Sequence, residues 1–392
     1  MKKSLIFILL WSLISVACAQ QVDKLESDFV FPIQDTYVHG SSLIELPNGD
    51  LLSCWFEGSG ERNANDNVIN GARYSKKKGQ WSEKFLMADT PDHPDCNPVL
   101  FLDNTDKLWL FWIAVRANRW ETSLLKYRTS EDYKKSGAPN WNWQDAVILK
   151  PGDKFAETIK KQFEEAKTPD YAWAEYAKKY ENMIAEASQD KKKRQMGWMT
   201  RIHPLQLDNG RILLPLYSDG YNLSLVGISD DKGKTWQTSQ PIVGRGNVQP
   251  SIVQKKDGSL VAYMRDNGDE PGRVMVSTSN NDGESWTYAE KTDIPNPGVS
   301  VEVIVLASGN WVMAYNDVDD GRYSFAVAIS EDEGQTWQQA KHIEKTKKGE
   351  GRFAYPSLIQ TIDGKIYLTY SFHVDKKRAI KMASFTEEEL LN

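Results

Sequence analysis

The residues able to do chemistry in this 392-residue chain recur at two kinds of position. One lies just before a class of apolar segment, the other just after the segment that follows it. The first set holds Tyr37 and His39, Asp95 and Asn97, Arg201 and His203, Gln249, Glu302 and Tyr355. The second holds Glu57, Glu61, Arg62 and Asp66, then Arg116 and Arg119, Asp219, Arg265 and Asp266, Asp317 and Arg322, and His373. Arginine presents a planar fork that captures a carboxylate bidentately, so guanidinium groups aimed at one pocket imply an anionic ligand. Tyrosine is a poor nucleophile at its free pKa of ~10, so Tyr355 needs a nearby base and cations to act as one. His39 and His203 are of the type that takes a proton near neutral pH. Three of the five histidines fall in these sets, which favours a site over a merely hydrated funnel.

The elements that must position these side chains are repeated. Six segments (41–56, 97–112, 203–218, 249–264, 301–316 and 355–371) each show apolar alternation, a turn, and alternation again. They read as β-hairpins, with Asn-Gly, Asp-Gly or Ser-Gly at five of the six tips and Asp106 at the remaining one. A second motif, Ser-x-Asp/Asn-x-Gly-x-Thr/Ser-Trp, follows at 229–236, 279–286 and 330–337, with weaker copies at 75–81 and 130–141. Its Ser and Asp or Asn can bond the turn backbone, its Gly supplies unusual dihedrals, and its Trp staples the turn to a sheet. Each unit therefore has four strands, A to D, with this motif at the C–D turn. Six such units predict a six-bladed β-propeller, an all-β fold with Asp-box turns over residues 27–390. A strand at 379–385 and a segment near 28–34 are expected to close the ring and remove the exposed sheet edges.

The wiring separates two faces. A–B and C–D turns share one face, so the Asp boxes lie there in a structural role. D→A connections and B→C loops share the other, which collects the residues named at the outset. One connection, 152–198, carries an Ala-, Glu- and Lys-rich insertion read as two helices, 153–167 and 169–188, with Thr168 as N-cap and Pro169 at the first turn. It is expected to project from the chemical face.

Composition narrows the partners. With 40% hydrophobic residues the chain can build a large core, and its net charge of −6 without a basic block makes nucleic acid a poor partner. Three cysteines (Cys18, Cys54, Cys96) give neither a disulfide framework nor a Cys/His metal spacing, and no cofactor is implied. Residues 1–19 have a basic start, a short apolar run and Ala17-Cys18-Ala19, as in a secretory signal. Two processing routes are open: cleavage after Ala19, or lipidation of Cys18, which would anchor the chain without a transmembrane span. Either route implies export to the periplasm, the outer membrane or the medium.

The Asp boxes and six-unit layout resemble the sialidase superfamily, in particular bacterial BNR-repeat sialidase-like proteins, over nearly all of 37–385 except the insertion. The resemblance implies an exo-α-sialidase-like glycoside hydrolase acting on a terminal acidic sugar of a glycan, sialic acid or a relative. It makes Tyr355, in Phe-Ala-Tyr-Pro-Ser, the nucleophile. It makes Arg265, in Ala-Tyr-Met-Arg, and Arg322, in Asp-Gly-Arg, carboxylate ligands, and Asp66 the acid/base. Two positions depart from the family pattern. His39-Gly40-Ser41 stands where the first carboxylate-binding arginine belongs, and Gln249 stands where the base for the tyrosine belongs. Arg201 and Glu302 are the candidate replacements, with His203 beside them. Two alternatives stay open. One is a polysaccharide lyase in which arginines neutralise a uronate and His39, His203 or Tyr355 takes the neighbouring proton. The other is a glycan-binding propeller without turnover.

Overall fold

The structure is a computed structural model that describes residues 25–61, 64–166 and 174–392. It is a six-bladed β-propeller in which each blade is an antiparallel sheet of at least four strands. The inner strands are Tyr37–Glu45, Asp95–Leu102, Leu205–Gln206, Asn247–Gln254, Glu302–Val305 and Arg352–Gln360. Ring closure is as expected, though the pairing begins earlier than 28: Glu26–Phe29 is the outer strand of the last blade, against Lys377–Phe385. A bridge between Gln34 and Arg378 extends that contact. The leader and Cys18 lie outside the described residues. Among the described residues no helix is long and apolar enough to cross a membrane.

Hairpin tips are tight because their residues reach positive φ. Gly49, Gly210, Gly258, Gly309 and Gly364 lie at 82° to 93°, and Asp106 manages 59°. At the Asp boxes the need for glycine is also steric. A Cβ on Gly233 would stand 2.2 Å from the Trp109 ring of the preceding blade. These turns therefore lock neighbouring blades together as well as reversing the chain.

A second irregularity matters more for chemistry. Inner strands of four blades carry a register break, between His39 and Ser42, Cys96 and Val99, Val248 and Ser251, and Ala354 and Ser357. Inside each break one residue is left-handed: Gly40, Asn97, Gln249 and Tyr355, at φ 50° to 62°. Each lies nine residues before its tip residue, and Arg201 holds the same place in blade 3. Bulges re-aim side chains, and here they turn Asn97, Gln249 and Tyr355 toward one another near the axis.

The insertion forms helix α1 (Asp153–Glu165) and helix α2 (Ala174–Ala187). The expected helix start at Thr168-Pro169 lies outside the described residues. Helix α1 does not project from the chemical face. It lies along the outer edge of blades 3 and 4, where Thr158 bonds Gln240 and Gln162 donates to the Trp286 carbonyl of an Asp box. Its apolar stripe, Phe155, Ile159 and Phe163, is buried there, which explains the lateral course. Helix α2 does reach the loops of the chemical face.

Candidate active site

Tyr355 occupies the centre of the upper ring of bulge residues. Its phenol is 6% exposed, and its oxygen receives Arg265 Nη1 at 3.3 Å and a hydrogen bond from Gln249. Arg322 covers the ring from one side, its Cζ 5.4 Å from the centroid, and Arg201 lies at 4.8 Å. The His39 ring is 4.0 Å from that of Tyr355, centroid to centroid. Burial pushes the phenol up. Arg265 and Arg322, with Gln249, outweigh burial and hold it below the ordinary tyrosine value. Neighbouring Tyr37 and Tyr217 lack that balance, and burial drives both well above it.

A cavity of ≈ 200 Å³ opens beside this cluster, lined in part by Tyr37, His39, Glu61, Arg322, Arg352 and His373. Arg322 is largely buried, which lowers its pKa, yet its guanidinium has no hydrogen-bond partner among the described residues. His39 is 3% exposed, and its Nδ1 has no partner among the described residues. Burial and the charges of His373, Arg322, Arg201 and Arg352 keep His39 far below the usual histidine range. His373 is pushed down to about 4 by burial, although its Nε2 bonds the Val38 carbonyl at 2.7 Å. Two neutral imidazoles and unpaired guanidinium thus face one small pocket.

The structure does not bring every expected residue there. Glu302 lies seven residues before its tip glycine, two deeper than the Tyr355 and Gln249 positions, and so falls in a lower ring. One of its oxygens meets His203 Nδ1 at 2.6 Å and the other accepts from Leu358 N at 2.8 Å. Glu302 is therefore committed and cannot serve as the base for Tyr355 from this place. His203 bonds Ser42, Ser357 and the Leu43 carbonyl in the same lower ring. Arg201 is buried and donates to the carbonyls of Ser41 and Pro356, so it backs the tyrosine instead of facing the pocket. Asp66 is exposed and accepts twice from Ser59, at 3.0 and 2.8 Å, which lowers its pKa and closes its own loop. The pocket carboxylate on that loop is Glu61, which accepts from Tyr37 Oη at 3.0 Å.

A second cavity, of ≈ 680 Å³, opens at the Asp-box end of the axis with His203 and Glu302 in its wall. It is lined mostly by Ile, Leu and Val, and its rim residues Glu45, Gln254 and Gln360 are tied into the turns. Larger size does not make it the better site, because it offers no free charge. Among the described residues no group of three or more His, Cys, Asp or Glu side chains could hold a metal.

Comparison with known proteins bears on the family and the fold. A model of the BNR repeat-like domain matches residues 49–200 and 186–368. An anhydrosialidase of Macrobdella decora is 25% identical over 186 residues, 41% of this chain and 23% of that protein. A sialidase of Paraclostridium sordellii is 30% identical over 129 residues, 28% of this chain and 31% of that one. The chain thus spans less than a third of the length of these curated relatives. Among solved structures, a protein of unknown function from Dyadobacter fermentans superposes with a TM-score of 0.66 at 16% identity, over 92% of this chain and 98% of that one. The leech intramolecular trans-sialidase complexed with 2,7-anhydro-Neu5Ac gives 0.66 at 16%, over 90% and 68%. At such identity these likenesses bear on the fold.

Proposed function

This chain belongs to the BNR repeat-like family of sialidase-like proteins, and on that premise we propose that it is an exported exo-glycosidase of sialidase type. Its substrate is a terminal acidic sugar of a glycan, sialic acid or a related acid. One observation carries the reading: a buried tyrosine in a left-handed bulge has its oxygen on Arg265, while Arg322 covers its ring with a guanidinium free to take an anion. Sialidases depart from the usual two-carboxylate plan of glycosidases by using a tyrosine nucleophile. Here Arg322 holds the sugar carboxylate, and the Tyr355 phenolate attacks the anomeric carbon as the glycosidic bond breaks. Glu61, the loop carboxyl that lines the pocket, protonates the departing oxygen, then deprotonates the water that releases the sugar. Among the described residues no carboxylate bonds the tyrosine. Arg265, Arg322 and the Gln249 amide favour its ionised form instead.

Release of free acid from a panel of sialosides and other acidic glycosides tests this, with the Tyr355→Phe variant as control. A panel without turnover, or turnover that survives Tyr355→Phe, overturns it. A second reading, a uronate lyase, is favoured by the neutral His39 with its unpartnered Nδ1. Elimination leaves a product that absorbs in the ultraviolet and hydrolysis does not, so one spectrum separates the two. Export, with or without a lipid on Cys18, is read from residues 1–19 alone. The mass of the mature N-terminus tests it.

A further inference from the structure

The helical insertion is joined to Tyr355 by an unbroken chain of hydrogen bonds, and we propose that helix α2 is a positioning element that holds Arg265 on the phenol. The chain starts at Tyr180, whose hydroxyl accepts from Asn222 Nδ2 at 3.2 Å. Asn222 Oδ1 accepts from Asn267 Nδ2 at 2.7 Å, and Asn222 Nδ2 also reaches the Asn267 carbonyl at 3.3 Å. Asn267 Oδ1 accepts from Arg265 Nη2 at 3.0 Å, and Arg265 Nη1 donates to Tyr355 Oη at 3.3 Å. These links cross four units: the insertion, the B–C loop of blade 3, the B–C loop of blade 4 and the inner strand of blade 6.

Helix α2 is itself fixed at the next residue. Glu181, 3% exposed, takes Arg245 Nε at 3.0 Å and Nη2 at 2.6 Å through one oxygen. A buried charge pair of this kind tolerates little displacement, so Tyr180 meets Asn222 from a rigid base. Asn222 is rigid too, held left-handed at φ 54° with its N–H on the Ser218 carbonyl.

Arg265 needs such support. Among the described residues its Nε is buried without a partner, so the Asn267 bond on Nη2 is what fixes the guanidinium plane with Nη1 on Tyr355. Without it the long side chain can turn about several bonds, and the cation leaves the phenol while burial remains. Tyr355 would then be less acidic. Asn267 and Tyr180 touch neither sugar nor nucleophile, and both act through Arg265. The kinetic consequence rests on the Tyr355 mechanism proposed above, whereas the effect on phenol acidity does not.

The experiment is an ultraviolet phenolate titration of the full chain, with Tyr355 isolated as the difference between each protein and the same protein carrying Tyr355→Phe. Asn267→Leu should move that ionisation to higher pH by roughly one unit, a tenfold change in its constant. Tyr180→Phe should move it the same way by less. With an active substrate, the pH at which kcat/KM rises should follow the same displacement, which a merely structural loss would not produce. An unmoved ionisation in folded Asn267→Leu overturns the proposal. If that variant does not fold, Tyr180→Phe decides alone, upward movement supporting and no movement overturning it. The titration needs no substrate, so silence in every glycoside assay counts against the activity and leaves this readout intact.

Discussion

The two ends of the propeller treat polar atoms in opposite ways. At the Asp boxes the Asp231 carboxylate is filled by Ser229 Oγ at 2.9 Å, Thr235 N at 2.8 Å and Thr235 Oγ1 at 2.6 Å. Asp332 repeats the pattern, and the Thr336 bonds push its pKa down to about 2. At the other end, His39 Nδ1, Gln249 Oε1 and Arg265 Nε are buried with no partner among the described residues. Buried polar atoms are normally paired, so a cluster of unpaired ones marks where something else completes the network. The carboxylates of one face are finished by the chain, though Trp236 Nε1 in the same Asp box is unpaired; on the other face the unpaired atoms gather around the Tyr355 cluster.

Removing the proposed nucleophile should break that contrast most severely. Tyr355→Phe keeps the ring packing and the bound anion but should lower turnover by roughly 10³ or more, the scale of ~4 kcal/mol in the barrier. Steady-state kinetics on an active glycoside, with binding measured separately, checks both halves. Acid should expose the next largest difference. His373 has a folded pKa of about 4 against 6.5 unfolded, so the unfolded state binds the extra proton between those values. Stability is therefore full above pH 6.5 and falls as the pH drops toward 4, by up to roughly 3 kcal/mol. Urea unfolding across that window measures the slope, and His373→Gln should flatten it.

Arg322→Lys keeps the charge and loses the fork, so kcat/KM should drop about 10- to 100-fold, with binding weakened in step. Substrate titration of the variant tests this. The smallest effect belongs to the finished face. Asp231→Ala should destabilise by about 1 kcal/mol, seen in denaturant melts, with turnover per folded molecule unchanged. A large loss of turnover there would erase the distinction between the two ends.

Much of this was legible because propeller sequence is periodic. The turn dipeptides and Asp boxes announce six blades, and the same register puts Tyr355, Arg265 and Arg322 on one face. Glu302 was misplaced by reading strand starts. Counting back from each tip residue puts Tyr355, Gln249 and Arg201 nine away and Glu302 seven, so the signal for the lower ring was present. Glu61 and Asp66 could not be ranked from sequence, since what separates them is the pair of Ser59 bonds that closes the loop on Asp66. The course of helix α1 was hidden for a similar reason. Wiring says where a connection leaves, but the apolar stripe of Phe155, Ile159 and Phe163 decides where it packs.

The closing strand ties the protein to the order in which it is made. Glu26 meets Ser384 across 358 residues, so the first strand of the propeller is partnered by its last. During synthesis Glu26–Phe29 has no mate, and blades 1 to 5 can assemble only as an open crescent. Until Lys377–Phe385 arrives, Glu26–Phe29 cannot take its place as the outer strand of the last blade, and the axis stays unsealed on one side. Shutting the ring is a contact of extreme sequence separation, the kind that forms slowly and leaves strand edges exposed meanwhile. Because Tyr355 and Arg322 belong to the last two blades while His39 belongs to the first, the pocket is born at that same late moment. An unfinished chain therefore lacks Tyr355, the centre of the site.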